Sequence, residues 1–176
     1  MKDLFEKIVE SVDKEARHLE HVEKELRRLI EEFEKLEDQK REVERELERV
    51  EKEVLEVSRQ LKELEHEYNE LRHKLRKNRI ALQQADSPRE YERLMEDRRR
   101  LLERMQEVTA KLEELRKKYN DLKAVEYDLS DKLAELEKEL EKVRHKIEVH
   151  LKELKHYAQE VLRRIEQFAE RYHLKI

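Results

Sequence analysis

The 176-residue chain contains no glycine, no cysteine, no tryptophan and a single proline. Average usage of ~7% would supply roughly 12 glycines. Without them, phosphate-cradling loops, dinucleotide-binding turns and hairpin-rich β architectures are excluded, because each needs positive-φ positions. The absence of cysteine removes disulfides and thiolate metal sites and leaves the redox compartment open. No apolar run approaches the ~18 residues that span a bilayer. The opening segment MKDLFEKIVESVDKEARHLE carries Asp3, Glu6 and Glu10 and no long apolar stretch, so it does not read as a signal peptide. A soluble, cytoplasmic protein without a membrane partner is the expectation.

Charge is abundant instead. Lys and Arg number 42 and Asp and Glu 46, half of all residues, for a net charge of only −4. Such a balance predicts mixed surface charge that pairs with itself. At 36% hydrophobic the chain has too little apolar material for a compact globule, but enough for one narrow seam along a long helix.

Charge this dense often means disorder, and periodicity decides against it. Heptad a positions run Phe5, Val12, Leu19, Leu26, Phe33, Lys40, Leu47, Val54, Leu61, Tyr68, Leu75 and Leu82, with d positions from Ile8 and Glu15 through Val22 to Leu71 and Asn78. Of these 23 positions 20 are apolar, where chance would give about 8. A second tract has a positions from Tyr91 and Arg98 to Ile147, including Glu126, and d positions from Leu94 to Val143; 15 of its 17 positions are apolar. A repeat of 3.5 residues held this long specifies left-handed supercoiling about a partner helix.

The tracts differ in phase. Continuing the first from Leu82 predicts a seam residue at 89, whereas the second starts at Tyr91. A two-residue skip turns the seam by ~200° on one continuous helix, so the chain must break there. The break falls in Gln83-Gln84-Ala85-Asp86-Ser87-Pro88-Arg89-Glu90. Ser87 suits an N-cap, Pro88 the first helical position, and Glu90 closes an S-x-x-E capping box. The fold expected is all-α: a single antiparallel two-helix coiled-coil hairpin over 1–176. Its first helix covers about 2–85, its turn about 83–88 and its second helix about 88–173, with arms of ~120 Å. Numbers of facing residues should sum to about 176, setting Asn78 beside Arg98 in one polar layer, while Lys40 and Glu126 snorkel outward.

Towards the end opposite the turn the apolar spacing changes. The series Val143, Ile147, Leu151, Leu154, Ala158, Val161, Ile165, Phe168, Tyr172 contains an 11-residue unit, flanked by Tyr157, Leu162 and Ala169. The facing segment widens as well, through Phe5, Val9, Val12 and Ala16. A wide stripe suits a three- or four-helix bundle, so a homodimer through a four-helix base is the expected use of Phe5, Val9, Val12, Ala16, Leu151, Tyr157, Leu162, Ile165, Phe168 and Tyr172.

No nucleophile–base arrangement stands out among Ser11, Ser58, Ser87, Ser130 and Thr109, and a non-enzymatic protein without a cofactor is expected. Inward-facing Glu-x-x-His pairs can bind di-iron in helical bundles. Glu15/His18 and Glu153/His156 are brought to the same end by a hairpin, but bridging glutamates at seam positions are lacking, so no metal site is expected. Between Leu71 and Arg104 there are 11 basic and 6 acidic residues, a tip of +5 on a remainder of −9. Its cations include Arg72, Lys74, Arg76, Lys77, Arg79, Arg89, Arg93, Arg99 and Arg100, which could meet an acidic protein surface or a phosphate backbone.

The segment NRIALQQADSPREYERLMEDRRRLLERM resembles the hairpin tip of a bacterial coiled-coil family that carries a C-terminal zinc ribbon, through Arg89-Glu90-Tyr91-Glu92-Arg93-Leu94. The match covers about ten residues, and with no cysteine the ribbon's role does not carry over. Asp86-Ser87-Pro88-Arg89-Glu90-Tyr91 also resembles the acidic tip of transcript-cleavage factors that enter RNA polymerase, which would make Asp86 and Glu90 candidate Mg²⁺ holders. Those factors have a shorter arm followed by a second domain. The expected function is therefore a spacer or adaptor acting on protein partners. A nucleic-acid or RNA-polymerase-associated factor working through the basic tip is the alternative.

Overall fold

The computed structural model describes residues 1–176. It is all-α: α1 spans Lys2–Gln83, α2 spans Pro88–Arg171, and the two pack against each other as a helical hairpin. No helix is long and apolar enough to cross a membrane. Charged residues with high helix propensity fill the outward positions, and i,i+3 and i,i+4 pairs such as Arg27–Glu23 and Arg59–Glu63 line them.

The turn is built as the local residues dictate. Glu90 N–H donates to Ser87 Oγ at 3.2 Å and Tyr91 N–H to the Ser87 carbonyl at 3.0 Å, so Ser87 is the N-cap and Pro88 the first helical residue. The return half of the capping box shifts by one residue, since Glu90 Oε2 accepts from Asp86 N–H at 3.5 Å. With no glycine to adopt a left-handed cap, α1 ends at Gln83, two residues earlier than the pattern suggests, on a tight Gln84 N–H to Ala81 carbonyl bond of 3.2 Å.

The contacts divide into two units, each containing a segment of both helices. Unit 1 comprises 1–43 and 132–176 and unit 2 comprises 44–131. Unit 2 holds the turn. Its core is Leu71, Val108 and Leu112, with Leu61, Leu64, Tyr68, Leu101 and Met105 packed around it, all at a or d positions. Across its seam Arg104 forms a forked pair with Glu67 at 2.6 and 3.1 Å. Asn78, 7% exposed, donates through Nδ2 to the Leu94 carbonyl at 2.9 Å. Asn78 therefore engages the facing backbone, and Arg98, its expected layer partner, is half-buried.

Unit 1 buries Val22, Leu26, Leu29, Leu36 and Val43 of α1 against Leu136, Leu140 and Val143 of α2. Lys40 reaches out of the seam to Glu137 at 3.8 Å. α2 ends in a Schellman motif. Leu174 N–H donates to the Ala169 carbonyl at 2.8 Å and His173 N–H to that of Glu170 at 3.2 Å, with His173 at φ 57°. Ala169, whose carbonyl accepts the wider-spanning bond of the motif, is 4% exposed.

Candidate interaction surfaces

The apolar series past Val143 does not run as its spacing suggests. α1 keeps a 3.5-residue repeat through Phe5, Ile8, Val12, Glu15 and Leu19, so the segment of α2 facing it must keep the same repeat to stay in contact. The half-buried positions of this part of α2 accordingly include Ile147, His150, Leu154, Tyr157, Val161, Arg164 and Phe168, a heptad series, with Glu160 and Tyr172 beside it. His150 takes the place in the seam expected of Leu151, Tyr157 that of Ala158, and Arg164 that of Ile165. The 11-residue step expected between Leu140 and Leu151 is absent from the packing, and the spacing departs from the heptad only at Tyr172, four residues after Phe168.

The ten expected base residues therefore separate. Val12, Tyr157, Phe168 and Tyr172 are half-buried within the hairpin, where Phe168 lies 6.0 Å from the Phe5 ring and 5.0 Å from the Tyr172 ring. Phe5, Val9, Leu151, Leu162 and Ile165 are 53, 42, 49, 57 and 38% exposed, and Ala16 is exposed too. Ile30, 44% exposed, and Val149, 41%, belong with them and were not among the residues the sequence singled out. Ile30 follows the d residue Leu29 and so continues the line of Val9 and Ala16, whereas Val149 precedes the d residue His150 and lies off that line.

The Glu-x-x-His residues find partners other than each other. His18 stacks on Tyr157 with ring centroids 5.4 Å apart, and His156 tilts against the same ring at 6.0 Å. Glu15 sits 3.9 Å from Arg164, and Glu153 sits 3.6 Å from His150. No group of three or more His, Asp or Glu side chains is placed to hold a metal ion. Asp86 and Glu90 meet through the backbone contact at the turn.

In unit 2 the cations fall into two sets. Arg99 is clamped between Glu96 and Glu103, at 2.5 and 2.6 Å, and Arg100 lies 3.5 Å from Glu96. The clamp raises the Arg99 pKa, chiefly through the Glu96 hydrogen bond, and holds the Glu96 carboxyl below its ordinary range. These two charges are largely neutralised at the surface. Arg72, Arg76, Lys77, Arg79, Arg89 and Arg93 have no carboxylate within ion-pair distance, and Lys74 acts on the Glu67 carboxyl only through its charge. Lys74 and Lys77 of α1 and Asp97, Arg100 and Arg104 of α2 border a groove of about 560 Å³ floored by Leu71, Asn78, Ala81, Leu94 and Leu101. Beyond it, Tyr91, Met95 and Leu102 of α2 are 48, 43 and 42% exposed.

Comparison with protein-family models, curated proteins and solved structures finds no match to this chain.

Proposed function

We propose that the chain is a structural, non-enzymatic interaction protein, a coiled-coil spacer or adaptor that offers a basic tip to one protein partner and an apolar base to another. One observation carries this reading. The same two helices bear exposed apolar side chains at recurring positions of unit 1 and, near the turn in unit 2, a net excess of cations, of which Arg72, Arg76, Lys77, Arg79, Arg89 and Arg93 have no carboxylate at ion-pair distance. Exposed apolar side chains at repeating positions mark interaction sites, and excess charge of one sign selects the complementary partner. Helices supply the rigidity, because their backbone hydrogen bonds are made within each helix.

Affinity capture with separate variants tests the reading. Arg72→Glu/Arg76→Glu/Arg79→Glu should lose one set of captured proteins and Leu151→Lys/Ile165→Lys another. Capture unchanged by both variants refutes it.

The unpaired cations also favour a second reading, a nucleic-acid or RNA-polymerase-associated factor acting through the tip. Phosphate contacts weaken steeply with salt. Salt-sensitive binding of DNA or RNA, lost on Lys77→Glu/Arg79→Glu, would establish it, and no binding at low salt would remove it.

A further inference from the structure

The two faces of unit 1 that flank the seam are unlike. In an antiparallel pair the e positions of both helices lie on one side and the g positions on the other. The e side carries Val9, Ala16 and Ile30 of α1, interrupted by Glu23, which pairs with Arg27, together with Leu151, Ala158, Ile165 and Tyr172 of α2. The g side carries Ser11, His18 and Glu25 of α1, with Leu4 its one apolar residue, and Lys146, Glu153, Glu160 and Gln167 of α2. Only one side is built like a second seam.

Its exposure comes at the expense of the first seam. Heptad packing on α1 turns His150 and Arg164 inward while their neighbours Leu151 and Ile165 stand 49 and 38% exposed. A single pair of helices gains nothing from that exchange. A four-helix bundle does, since its helices bury a stripe wider than a and d.

We propose that a second copy of this chain covers the e side of unit 1, forming a four-helix base in which α1 of one protomer lies over α2 of its partner. The inference rests on the reading of this end as an interaction surface and names its occupant. Residues 5–30 of α1 make a face ~40 Å long and, across two helices, ~20 Å wide, so about 800 Å² per copy is covered, the size of a standard stable interface.

Charge at the rim selects both the occupant and its orientation. With the two-fold axis parallel to the helices, α1 and the partner's α2 run antiparallel at a common level. Glu20 then meets Lys155 of the partner subunit, and Arg27 meets Glu148 of the partner subunit, each contact occurring twice. Laying α1 over the partner's α1 in a comparable overlap would set Asp13 against Glu20 of the partner subunit and Glu6 against Arg27 of the partner subunit, a repulsive and an attractive contact that offset each other, whereas both contacts of the first arrangement are attractive. Glu20 now pairs with Lys24 at 3.7 Å and Arg27 with Glu23 at 2.7 Å along their own exposed helix face, contacts weak enough to exchange.

Analytical ultracentrifugation of the full chain over the low- to high-micromolar range tests the proposal. The wild type should sediment as a dimer. Leu151→Lys/Ile165→Lys should keep its helical circular dichroism and raise the dissociation constant at least ~100-fold, because two apolar anchors are lost from each copy. The chain has no cysteine, so single-cysteine variants report orientation. A mixture of Glu20→Cys and Lys155→Cys should be joined by a short bis-maleimide, and a mixture of Asp13→Cys and Glu20→Cys should not. A monomeric wild type, a dimer indifferent to the lysine substitutions, or linkage only between positions 13 and 20 each overturns the proposal. A monomer that still loses captured proteins on tip or base substitution overturns the second-copy inference alone and leaves the adaptor reading standing.

Discussion

Replacing Asn78 by leucine should stabilise the hairpin. Asn78 occupies a d position one turn before the chain reverses, is 7% exposed, and donates to the Leu94 carbonyl at 2.9 Å, while its Oδ1 is buried and meets no donor from the protein. Removing the Nδ2 bond forfeits about 1 kcal/mol net, and removing a buried acceptor left unpaired recovers about 1 kcal/mol or more. The Leu94 carbonyl is not orphaned, since within α2 it also accepts the amide of residue 98. Burying a leucine side chain at the same place adds about 2 kcal/mol. The leucine has room, because Asn78 borders the open groove over Leu71, Leu94 and Leu101, so overpacking stays small. The net expectation is a gain of about 2 kcal/mol, or about 6 °C in melting temperature for a chain of this size. Urea unfolding followed at 222 nm at one chain concentration measures it. The midpoint should rise with an unchanged slope. Asn78→Ala separates the terms, because it removes the bond and the orphaned acceptor without adding apolar surface, and should fall within about 1 kcal/mol of the wild type. A lower midpoint for Asn78→Leu would refute the reasoning, showing that the asparagine stabilises the seam rather than marking its register at a cost.

Two further outcomes follow from local geometry. His173 holds φ 57° in the Schellman motif, so His173→Gly should stabilise the end of α2 by about 0.5–1 kcal/mol, read as slower amide exchange over its last turns. The forked Arg104–Glu67 pair joins the helices of unit 2, and the Arg104 hydrogen bond is the main reason the Glu67 carboxyl titrates below its ordinary range. A group whose pKa is lower when folded stabilises above its unfolded value, ~4.3, and loses that contribution as pH falls through the folded value. A Glu67→Gln/Arg104→Met double-mutant cycle should give about 0.5–1 kcal/mol of coupling at pH 7, given that both side chains are over a third exposed, and near zero well below pH ~4.

The helices, their pairing and the reversal near Ser87 were legible in the chain because each has a short-range cause. Heptad spacing needs only neighbours along one helix, the phase skip between Leu82 and Tyr91 forbids one continuous rod, and Ser87, Pro88 and Glu90 specify a helix start within four residues. The end of α1 was less legible because no glycine marks it, and it closes on a backbone bond that many sequences could make. The cationic tip could be counted, but not divided. That Arg99 is clamped while Arg72, Arg76 and Arg79 are unpaired depends on which acids stand three and four residues away on the same helix face and which reach across the seam.

The sequence by itself determined that this protein is two long amphipathic helices folded back on each other, since periodicity is a property of each helix alone. Only the tertiary structure decided which of two overlapping stripes on α2 lies inside. Composition favours the line through Leu151, Ala158 and Ile165, but α1 repeats every 3.5 residues, and a helix that drifted off that period would leave its partner. The seam therefore takes His150, Tyr157 and Arg164, and the apolar line is left outward.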